Sequence, residues 1–306
     1  MKIPHLVVVV GPTAVGKTAT CIQLANHFDA EIISADSRQF YKEMEIGTAK
    51  PDAKELAQAK HYFIDSHSIV EEYDAGSFSE DARSLLNDIY QKTDIAFSVG
   101  GSGLYIKALC DGLDDMPEVE EGLRSQLRQE WEENGLEPLL EELMLRDPEY
   151  YEQVDRYNHQ RVIRALEVIR SSGASFTAFR QANQKEVVRP FTVTKIGIEE
   201  NRETLYQRID DRMDLMIEQG LFEEAEKLYP QKELNALQTV GYKEIFGYLD
   251  GEYDKEEAIR LLKRNSRRYA KRQMTWFKRD EEVVWFRRDQ TEEMIQLIEK
   301  NRVNEH

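Results

Sequence analysis

An eight-residue segment near the start of the chain has the residue types and spacing of a phosphate-binding loop. It reads Gly11-Pro12-Thr13-Ala14-Val15-Gly16-Lys17-Thr18, after an apolar run and before an amphipathic segment. In a P-loop of this spacing, backbone N–H groups and the start of the following helix hold the phosphates. Lys17 would then reach the outer phosphate, and Thr18 would bind Mg²⁺ through its hydroxyl. The alternative is a glycine turn with a purely structural role.

Charged side chains at two further places could act on a ligand of this loop. Asp36 follows the second apolar segment, where a carboxylate could bind Mg²⁺, act as a general base, or only cap the next segment. Arg208 and Arg212 are four residues apart, so on a helix they share a face and could bind a diphosphate together. They could equally form surface ion pairs with nearby acids. The residues alone leave these alternatives open.

The P-loop does not by itself define a reaction. P-loop proteins that hydrolyse nucleoside triphosphates normally carry an apolar strand that ends in an acidic residue. Here the apolar run at 95–99 leads into Gly100-Gly101-Ser102-Gly103, and Ile64-Asp65 is the nearest substitute. This pattern favours a loop that holds a diphosphate leaving group over one that activates water against ATP.

The elements that must position these residues alternate between strand and helix in the first third of the chain. Strands are predicted at 6–10, 30–34, 61–65, 94–99, 191–198 and, as an edge strand, 283–286. Helices are predicted at 19–28, 77–92, 104–110, 118–146, 155–169, 202–220, 221–228, 237–249, 255–278 and 292–300. The alternation indicates an α/β fold, a P-loop NTPase-like core with a mostly parallel sheet, at 1–114 and 191–306. Residues 115–190 are predicted to form an all-helical insertion domain.

Composition narrows the class of protein. The 306 residues are 41% hydrophobic and 32% charged, as in a soluble globular protein, and no apolar run reaches the roughly 20 residues of a membrane span. The two cysteines, Cys21 and Cys110, lie far apart. This pattern favours a reducing, cytoplasmic location and argues against structural zinc.

Charge is distributed unevenly along the chain. The formal net charge is −17, yet the segment from Arg260 to Arg279 holds nine basic residues and no acidic one. Tyr269, Trp276 and Phe277 lie among these basic residues. The segment is either a strip that faces phosphate or RNA, or a solvated helix face that pairs with neighbouring acidic helices.

Seven segments in a fixed order together resemble the bacterial tRNA dimethylallyltransferase family, also called the tRNA isopentenyltransferase or IPP transferase family. The segments are 11–18, 34–39, 46–51, 100–105, 160–164, 238–244 and 268–277. The resemblance covers essentially the whole chain and is far more specific than the P-loop alone.

The resemblance implies a transferase that modifies tRNA with Mg²⁺ as cofactor. Such an enzyme moves the dimethylallyl group of dimethylallyl diphosphate to the exocyclic amine of the adenosine next to the anticodon on its 3′ side, releasing diphosphate. By this resemblance Gly11–Thr18 hold the diphosphate, Asp36 is the general base, and Lys17, Thr18 with Mg²⁺, and Arg212 stabilise the leaving group. The adenosine must leave its stack to reach such a site.

The same resemblance implies which residues contact the anticodon stem-loop. They are Asp36, Ser37, Arg38, Gln39, Ser102, Arg124, Gln160, Arg161, Val162, Ile163 and Arg164. The expected partners are dimethylallyl diphosphate and tRNA, with no membrane, and the expected state is a monomer.

Two other functions remain as alternatives. A P-loop kinase would bind ATP at the same loop, but the missing acidic strand end and the basic, aromatic segment near the C-terminus argue against it. A nucleotide-regulated RNA-binding module without catalysis is disfavoured by Asp36 beside the loop.

Overall fold

The computed structural model describes residues 3–113, 122–182 and 189–303. The chain divides into two compact units, one formed by Met1–Gly112 with Arg189–His306 and the other by Leu113–Val188. None of the described helices is both long and apolar enough to cross a membrane.

The first unit is built on one six-stranded sheet. Its strands are β1 (His5–Val10), β2 (Ile32–Ser34), β3 (His61–Tyr62), β4 (Ile95–Val99), β5 (Thr192–Ile198) and β6 (Val283–Phe286). Their order is β3-β2-β4-β1-β5-β6, and every pairing is parallel. The predicted α/β class is confirmed, and β6 lies at an edge as expected.

Fourteen α-helices are described. They are α1 (Lys17–His27), α2 (Ala53–Leu56), α3 (Ala75–Tyr90), α4 (Gly103–Asp111), α5 (Leu123–Asn134), α6 (Glu137–Arg146), α7 (Pro148–Gln153), α8 (His159–Ser172), α9 (Phe176–Ala182), α10 (Arg202–Glu218), α11 (Leu221–Leu228), α12 (Lys243–Leu249), α13 (Lys255–Phe277) and α14 (Thr291–Val303). Short 3₁₀ turns occur at Ile46–Thr48, Tyr229–Gln231 and Asn235–Leu237. Helices α5 to α9 belong to the second unit.

Strand β1 lies between β4 and β5 in the sheet, and both of its faces are buried. Leu6, Val8 and Val10 pack in one hydrophobic cluster, and Val7 and Val9 pack in another on the opposite face. Successive side chains of a strand point to opposite faces, so an unbroken apolar run is typical of a strand in a parallel sheet that is buried on both sides. Residues 11–18, which follow β1, are therefore attached to a strand that is firmly held in the core.

The second unit has its own core. Leu127, Leu143, Val162 and Leu166 are fully buried there. Its apolar residues come from α5, α6, α8 and α9, with Val154 at the end of α7, so this unit is held together by helix-on-helix packing.

Several predicted elements differ from the observed ones. Strand β3 has two residues where five are predicted. The predicted helix 118–146 is two helices where it is described, because Gly135 ends α5 with φ of 80°. Its predicted start and the proposed boundary at 114–115 lie outside the described residues. Helix α7 is not predicted, and it begins where Asp147 caps the N–H of Tyr150 at 3.0 Å.

The predicted helix 237–249 is also interrupted. Residues 238–242 form a loop between the 3₁₀ turn and α12, with Gly241 at φ of 106°. A left-handed residue stops helical hydrogen bonding, so helical spacing of the apolar residues is insufficient evidence of a continuous helix.

Candidate active site

The P-loop connects the carboxyl end of β1 to the start of α1. Gly11 and Gly16 have φ of 146° and 101°, values that favour glycine. A Cβ on Gly11 would lie 2.5 Å from the backbone oxygen of Ile198, so this position also needs the absence of a side chain. The Lys17 ammonium donates to the Pro12 carbonyl at 2.7 Å. The Lys17 side chain thus folds back over the loop.

A cavity that opens to solvent lies beside the P-loop. Its polar lining includes Thr13, Lys17, Thr18, Asp36, Arg38, Gln39, Arg212, Ser266, Tyr269 and Gln273. Its apolar lining includes Ala14, Val99, Ile209, Met213, Met216, Leu221 and Val240. The cavity can therefore hold an anionic group next to an apolar one.

Asp36 enters this cavity from just beyond the carboxyl end of β2. Its Oδ1 accepts the backbone N–H of Arg38 at 3.0 Å, which fixes the turn and orients the carboxylate. Within the described parts of the chain, Oδ2 accepts no hydrogen bond. One oxygen of this half-buried side chain therefore fixes the turn, and within the described residues the other accepts no hydrogen bond.

Lys17 and Arg212 bring positive charge to the same cavity. Burial lowers the pKa of the Lys17 ammonium to about 8, while the Asp36 carboxylate raises it and Arg212 lowers it. Burial also lowers the pKa of the Arg212 guanidinium, and Asp36 raises it. Two partly desolvated cations that interact with one carboxylate form a strong anion-binding region.

Arg212 and Arg208 have different surroundings although they share a helix face. Arg212 donates to Thr13 Oγ1 at 3.5 Å and to the Ala49 carbonyl at 3.3 Å. Arg208 forms an ion pair with Glu200 at 3.2 Å. The sequence left open whether these two arginines form ion pairs or face a ligand. Arg208 forms an ion pair, whereas Arg212 lines the cavity.

The turn after β4 lies next to the turn after β2. Ser102 Oγ accepts the N–H of Ser37 at 2.9 Å and lies 3.1 Å from Ser37 Oγ. Gln39 donates to the carbonyls of Thr48 at 3.3 Å and Ala49 at 3.1 Å. The first two bonds join Ser37 and Ser102 in one network, and the other two tie Gln39 to residues 48 and 49. Both sets lie at the carboxyl end of the sheet, where parallel sheets bind ligands.

Arg38 and Tyr269 complete the polar side of this network. Arg38 donates to the Ser37 carbonyl at 3.0 Å and lines the cavity. Burial and the charge of Asp36 raise the pKa of Tyr269 to about 12, while a hydrogen bond to Ser102 lowers it. Its hydroxyl therefore stays protonated at neutral pH and can act as a hydrogen-bond donor or acceptor there.

Gln273 is a site residue to which the sequence assigned no role. It is buried on α13, where its side-chain oxygen accepts the N–H of Thr13 at 2.8 Å and its amide donates to the Gly101 carbonyl at 3.0 Å. A Cβ on Gly101 would lie 2.2 Å from that amide nitrogen. The sequence does contain one signal, because Gln273 occupies a position of α13 where helical periodicity predicts a buried, apolar residue. That periodicity does not say which groups the glutamine side chain would bond.

Glu224 is a second unassigned residue, and it organises the cavity wall. Its carboxylate accepts the N–H groups of Glu45, Ile46 and Gly47 at 3.1, 2.8 and 3.0 Å, and the Tyr242 hydroxyl at 2.5 Å. The Tyr242 ring is so close to Gly47 that a Cβ there would lie 2.6 Å from it. Glu224 thereby fixes the loop that supplies Gly47, Thr48 and Ala49 to the cavity.

The second unit contains the remaining predicted tRNA contacts. On α8, Gln160 and Arg161 are exposed, whereas Val162 and Ile163 are buried in the core of that unit. The side chains of Val162 and Ile163 are therefore not accessible to a ligand, while the tRNA contact expected of this segment stays a prediction. The helical period places consecutive residues on different faces, so a five-residue sequence segment cannot present all of its side chains at once.

Two other arginines of this unit share one partner. Arg124 pairs with Glu167 at 2.5 Å and Arg164 pairs with it at 2.8 Å. Glu167 is buried, and the hydrogen bonds from the two arginines lower its pKa against the opposing effect of burial. One buried carboxylate thus orients both guanidinium groups.

The acidic residue that could have replaced the usual strand end does not line the cavity. Asp65 pairs with Lys50 at 2.5 Å and follows β3 by three residues. Within the described ranges 3–113, 122–182 and 189–303, no cluster of three or more His, Cys, Asp or Glu side chains could hold a metal ion. Thr18 and Asp36, which line one cavity, present side-chain oxygen atoms beside the P-loop.

A parallel sheet, a P-loop after its central strand and a cavity at the strand ends define an α/β protein of the P-loop class. Residues 39–280 match the family model described as IPP transferase. The chain is 50% identical over 300 residues to the tRNA dimethylallyltransferase of Christiangramia forsetii, covering 98% of this chain and 99% of that protein. It is 47% identical to tRNA dimethylallyltransferase 1 of Phocaeicola vulgatus, covering 96% of this chain and 97% of that one.

Solved structures agree with these matches. The full-length tRNA isopentenylpyrophosphate transferase of Bacillus halodurans has a TM-score of 0.72 and 38% identity, with 99% of each chain covered. A eukaryotic dimethylallyltransferase acting on tRNA has a TM-score of 0.78 and 27% identity, with 93% of this chain and 74% of that chain covered. The chain belongs to the IPP transferase family, as the sequence segments predicted.

Proposed function

We propose that the protein transfers the dimethylallyl group of dimethylallyl diphosphate to the exocyclic amine of the tRNA adenosine next to the anticodon on its 3′ side. It is a transferase, and a P-loop kinase is not favoured. The observation that carries the proposal is one cavity that holds Asp36, Lys17 and Arg212 beside an apolar wall. Dimethylallyl diphosphate needs the charged residues for its diphosphate and the apolar wall for its five-carbon chain.

The diphosphate would bind to the P-loop backbone of residues 11–18, to Lys17 and to Arg212. The bond between the allylic carbon and the diphosphate oxygen breaks, and its electron pair leaves with the diphosphate. Positioned cations stabilise that developing charge, which is the largest contribution in many transfers of this kind. Met213, Met216 and Leu221 would contact the apolar chain.

The residues present suit Mg²⁺. A hydroxyl and a carboxylate are hard oxygen donors of the type that this ion prefers, and the remaining ligands of Mg²⁺ usually come from phosphate and water. Thr18 would hold the ion through Oγ1. When bound, Mg²⁺ neutralises charge on the departing diphosphate.

Asp36 would act as the general base. The adenosine amine nitrogen forms the new bond to the allylic carbon, and its proton passes to the Asp36 oxygen that accepts no hydrogen bond within the described residues. The hydrogen bond from Arg38 holds the other carboxylate oxygen. An amine of an aromatic ring is a weak nucleophile, so a fixed base is needed next to it.

The adenine of the tRNA must leave its stack to enter the site, which an RNA loop permits. Ser37, Arg38, Gln39 and Ser102 would contact the extruded adenosine. In the predicted insertion at 115–190, Arg124, Gln160, Arg161 and Arg164 would contact the stem-loop. We further propose a monomer in the cytoplasm.

The Asp36→Asn variant tests this assignment because it keeps the size of the side chain. General-base catalysis contributes about 10²–10⁴-fold, so transfer to an anticodon stem-loop should fall by about that factor. Binding of dimethylallyl diphosphate should persist, which a direct binding measurement checks. Full transfer activity in Asp36→Asn would refute the assignment of the base.

A further inference from the structure

A buried hydroxyl group in the cavity wall has no partner in the protein. Ser266 lies on α13, is 7% exposed and lines the cavity. In the part of the chain that the structure describes, its Oγ forms no hydrogen bond. A hydroxyl that is removed from water without a partner costs free energy. This position therefore suits a ligand that brings its own hydrogen-bonding group.

A second hydroxyl on the same helix shows the usual arrangement. Thr275 donates to the Lys271 carbonyl at 3.0 Å, one turn back along α13. Serine and threonine within helices commonly bond in this way. Ser266 makes no such bond within the described residues, although α13 begins well before it, at Lys255. The Ser266 hydroxyl is therefore available to the cavity.

The surroundings of Ser266 are apolar. Two ion pairs join α13 to α10, namely Lys263–Asp214 at 2.6 Å and Arg267–Asp210 at 2.5 Å. Ser266 on α13 and Met213 on α10 lie between these pairs along the two helices, and both line the cavity. Ile209 and Met216 line it from the same side of α10. The hydroxyl thus belongs to the wall proposed above for the five-carbon chain.

We infer that the protein also accepts a donor in which one terminal methyl carbon of dimethylallyl diphosphate carries a hydroxyl, and that Ser266 binds this hydroxyl. This inference rests on the proposed function and widens its class of donor. The reaction is the same. The bond between the allylic carbon and the diphosphate oxygen breaks, its electron pair leaves with the diphosphate, and the amine proton passes to Asp36. The hydroxyl of the donor takes no part and stays on the product.

The composition of the wall permits the additional oxygen atom. Met213 and Met216 have flexible, polarisable side chains that can adjust to a slightly larger ligand. An apolar pocket without a polar group discriminates against an added hydroxyl by about 10²-fold. A pocket with one free hydroxyl should discriminate less, because the hydroxyl of the ligand keeps a hydrogen bond after it leaves water.

The test compares the two donors on one RNA. The acceptor is an anticodon stem-loop with adenosine next to the anticodon on its 3′ side, and kcat/KM is measured for each donor with Mg²⁺. Mass spectrometry of the RNA distinguishes the products, since one is heavier by an oxygen atom. In the unaltered protein the two values of kcat/KM should lie within about tenfold of each other, well inside the 10²-fold of an apolar pocket.

Ser266→Ala should move the two donors in opposite directions. The value of kcat/KM for the hydroxylated donor should fall by about 3- to 10-fold, the scale of one hydrogen bond. The value for dimethylallyl diphosphate should rise by up to about threefold, because the wall then has no unpaired hydroxyl. Loss of structure would lower both values. Thr275→Ala is the matched control, since Thr275 is exposed and bonds only within α13, and it should move neither value.

Two results would overturn the inference while the proposed function stands. One is transfer of dimethylallyl with discrimination of 10²-fold or more against the hydroxylated donor. The other is a Ser266→Ala protein in which the ratio of the two kcat/KM values is unchanged, including an equal loss for both donors, which would place the hydroxyl at the adenosine. If the unaltered protein transfers neither group to the stem-loop, the proposed function fails as well.

Discussion

The side-chain amide of Gln273 joins Thr13 of the P-loop to Gly101 of the turn after β4, accepting from one backbone group and donating to the other at 2.8 and 3.0 Å. The two segments are assigned to different parts of the reaction, one to the diphosphate and one to the adenosine. A single buried residue of α13 therefore fixes the spacing of these two segments.

Replacing Gln273 should affect stability and substrate binding together. Gln273→Leu has a similar volume but leaves a buried N–H and a buried carbonyl without a partner, which costs about 1–3 kcal/mol per group. The free energy of unfolding, measured with a chemical denaturant, should fall by about that amount or more. The KM for dimethylallyl diphosphate should rise.

Thr275→Ala is the matched control for this variant. Thr275 is exposed on the same helix and bonds only within it, so its change should stay within about 0.5 kcal/mol. Gln273→Leu with the stability and KM of the unaltered protein would show that the amide bridge has no role.

The pKa of Lys17 predicts a pH dependence of diphosphate binding. Burial lowers this pKa to about 8 in the ligand-free protein, and a lysine is charged only below its pKa. The affinity for inorganic diphosphate should therefore weaken as the pH rises from 7 to 9.5. Isothermal titration calorimetry at several pH values measures this affinity.

Lys17→Met separates the lysine from other titrating groups. This variant should bind diphosphate more weakly at pH 7 and should lack the loss of affinity above pH 8. The same pH profile in the variant as in the unaltered protein would assign the effect to another group.

Arg212 and Arg208 offer a matched pair on one helix. Arg212→Gln removes a cation that lines the cavity, so kcat/KM should fall by about 10² or more, the scale of losing one charge-stabilising donor. Arg208→Gln removes a cation that pairs with Glu200 and should leave kcat/KM within about threefold, since ion pairs near the surface contribute about 0–1 kcal/mol. Equal losses in the two variants would contradict the assignment of Arg212 to the diphosphate.

Helix α8 predicts opposite behaviour for neighbouring positions. Ile163→Ala should lower the free energy of unfolding by about 2–5 kcal/mol because Ile163 is buried in a packed core. Gln160→Ala should change it by less than about 0.5 kcal/mol and should weaken binding of the stem-loop. Thermal unfolding and an RNA titration distinguish the two, and a stable Ile163→Ala protein with lost RNA affinity would show that Ile163 contacts RNA and does not support the core.

The sequence predicted the parts of the fold that depend on local patterns. The apolar run before Gly11 and the spacing up to Thr18 predicted the strand, loop and helix, because these rules operate over a few residues. Helical periodicity similarly placed Leu221–Leu228, whose observed bounds equal the predicted ones. The same periodicity failed at 238–242, where one left-handed glycine and the bonds of the loop determine the structure.

The site was predictable where a residue follows a strand and unpredictable where it comes from a distant segment. Asp36 was found from its position after β2. Gln273 and Glu224 act on loops that lie 260 and about 180 residues away in sequence, and no local pattern connects such partners. Their roles become visible only when the cavity is assembled.

The most direct test of the whole account uses two labelled donors and one RNA. An anticodon stem-loop with adenosine next to the anticodon on its 3′ side is incubated with Mg²⁺ and the protein, with labelled dimethylallyl diphosphate in one reaction and labelled ATP in the other. The proposed transfer predicts label on the RNA only from the prenyl donor, with release of diphosphate. Phosphate transfer from ATP without prenylation would contradict it.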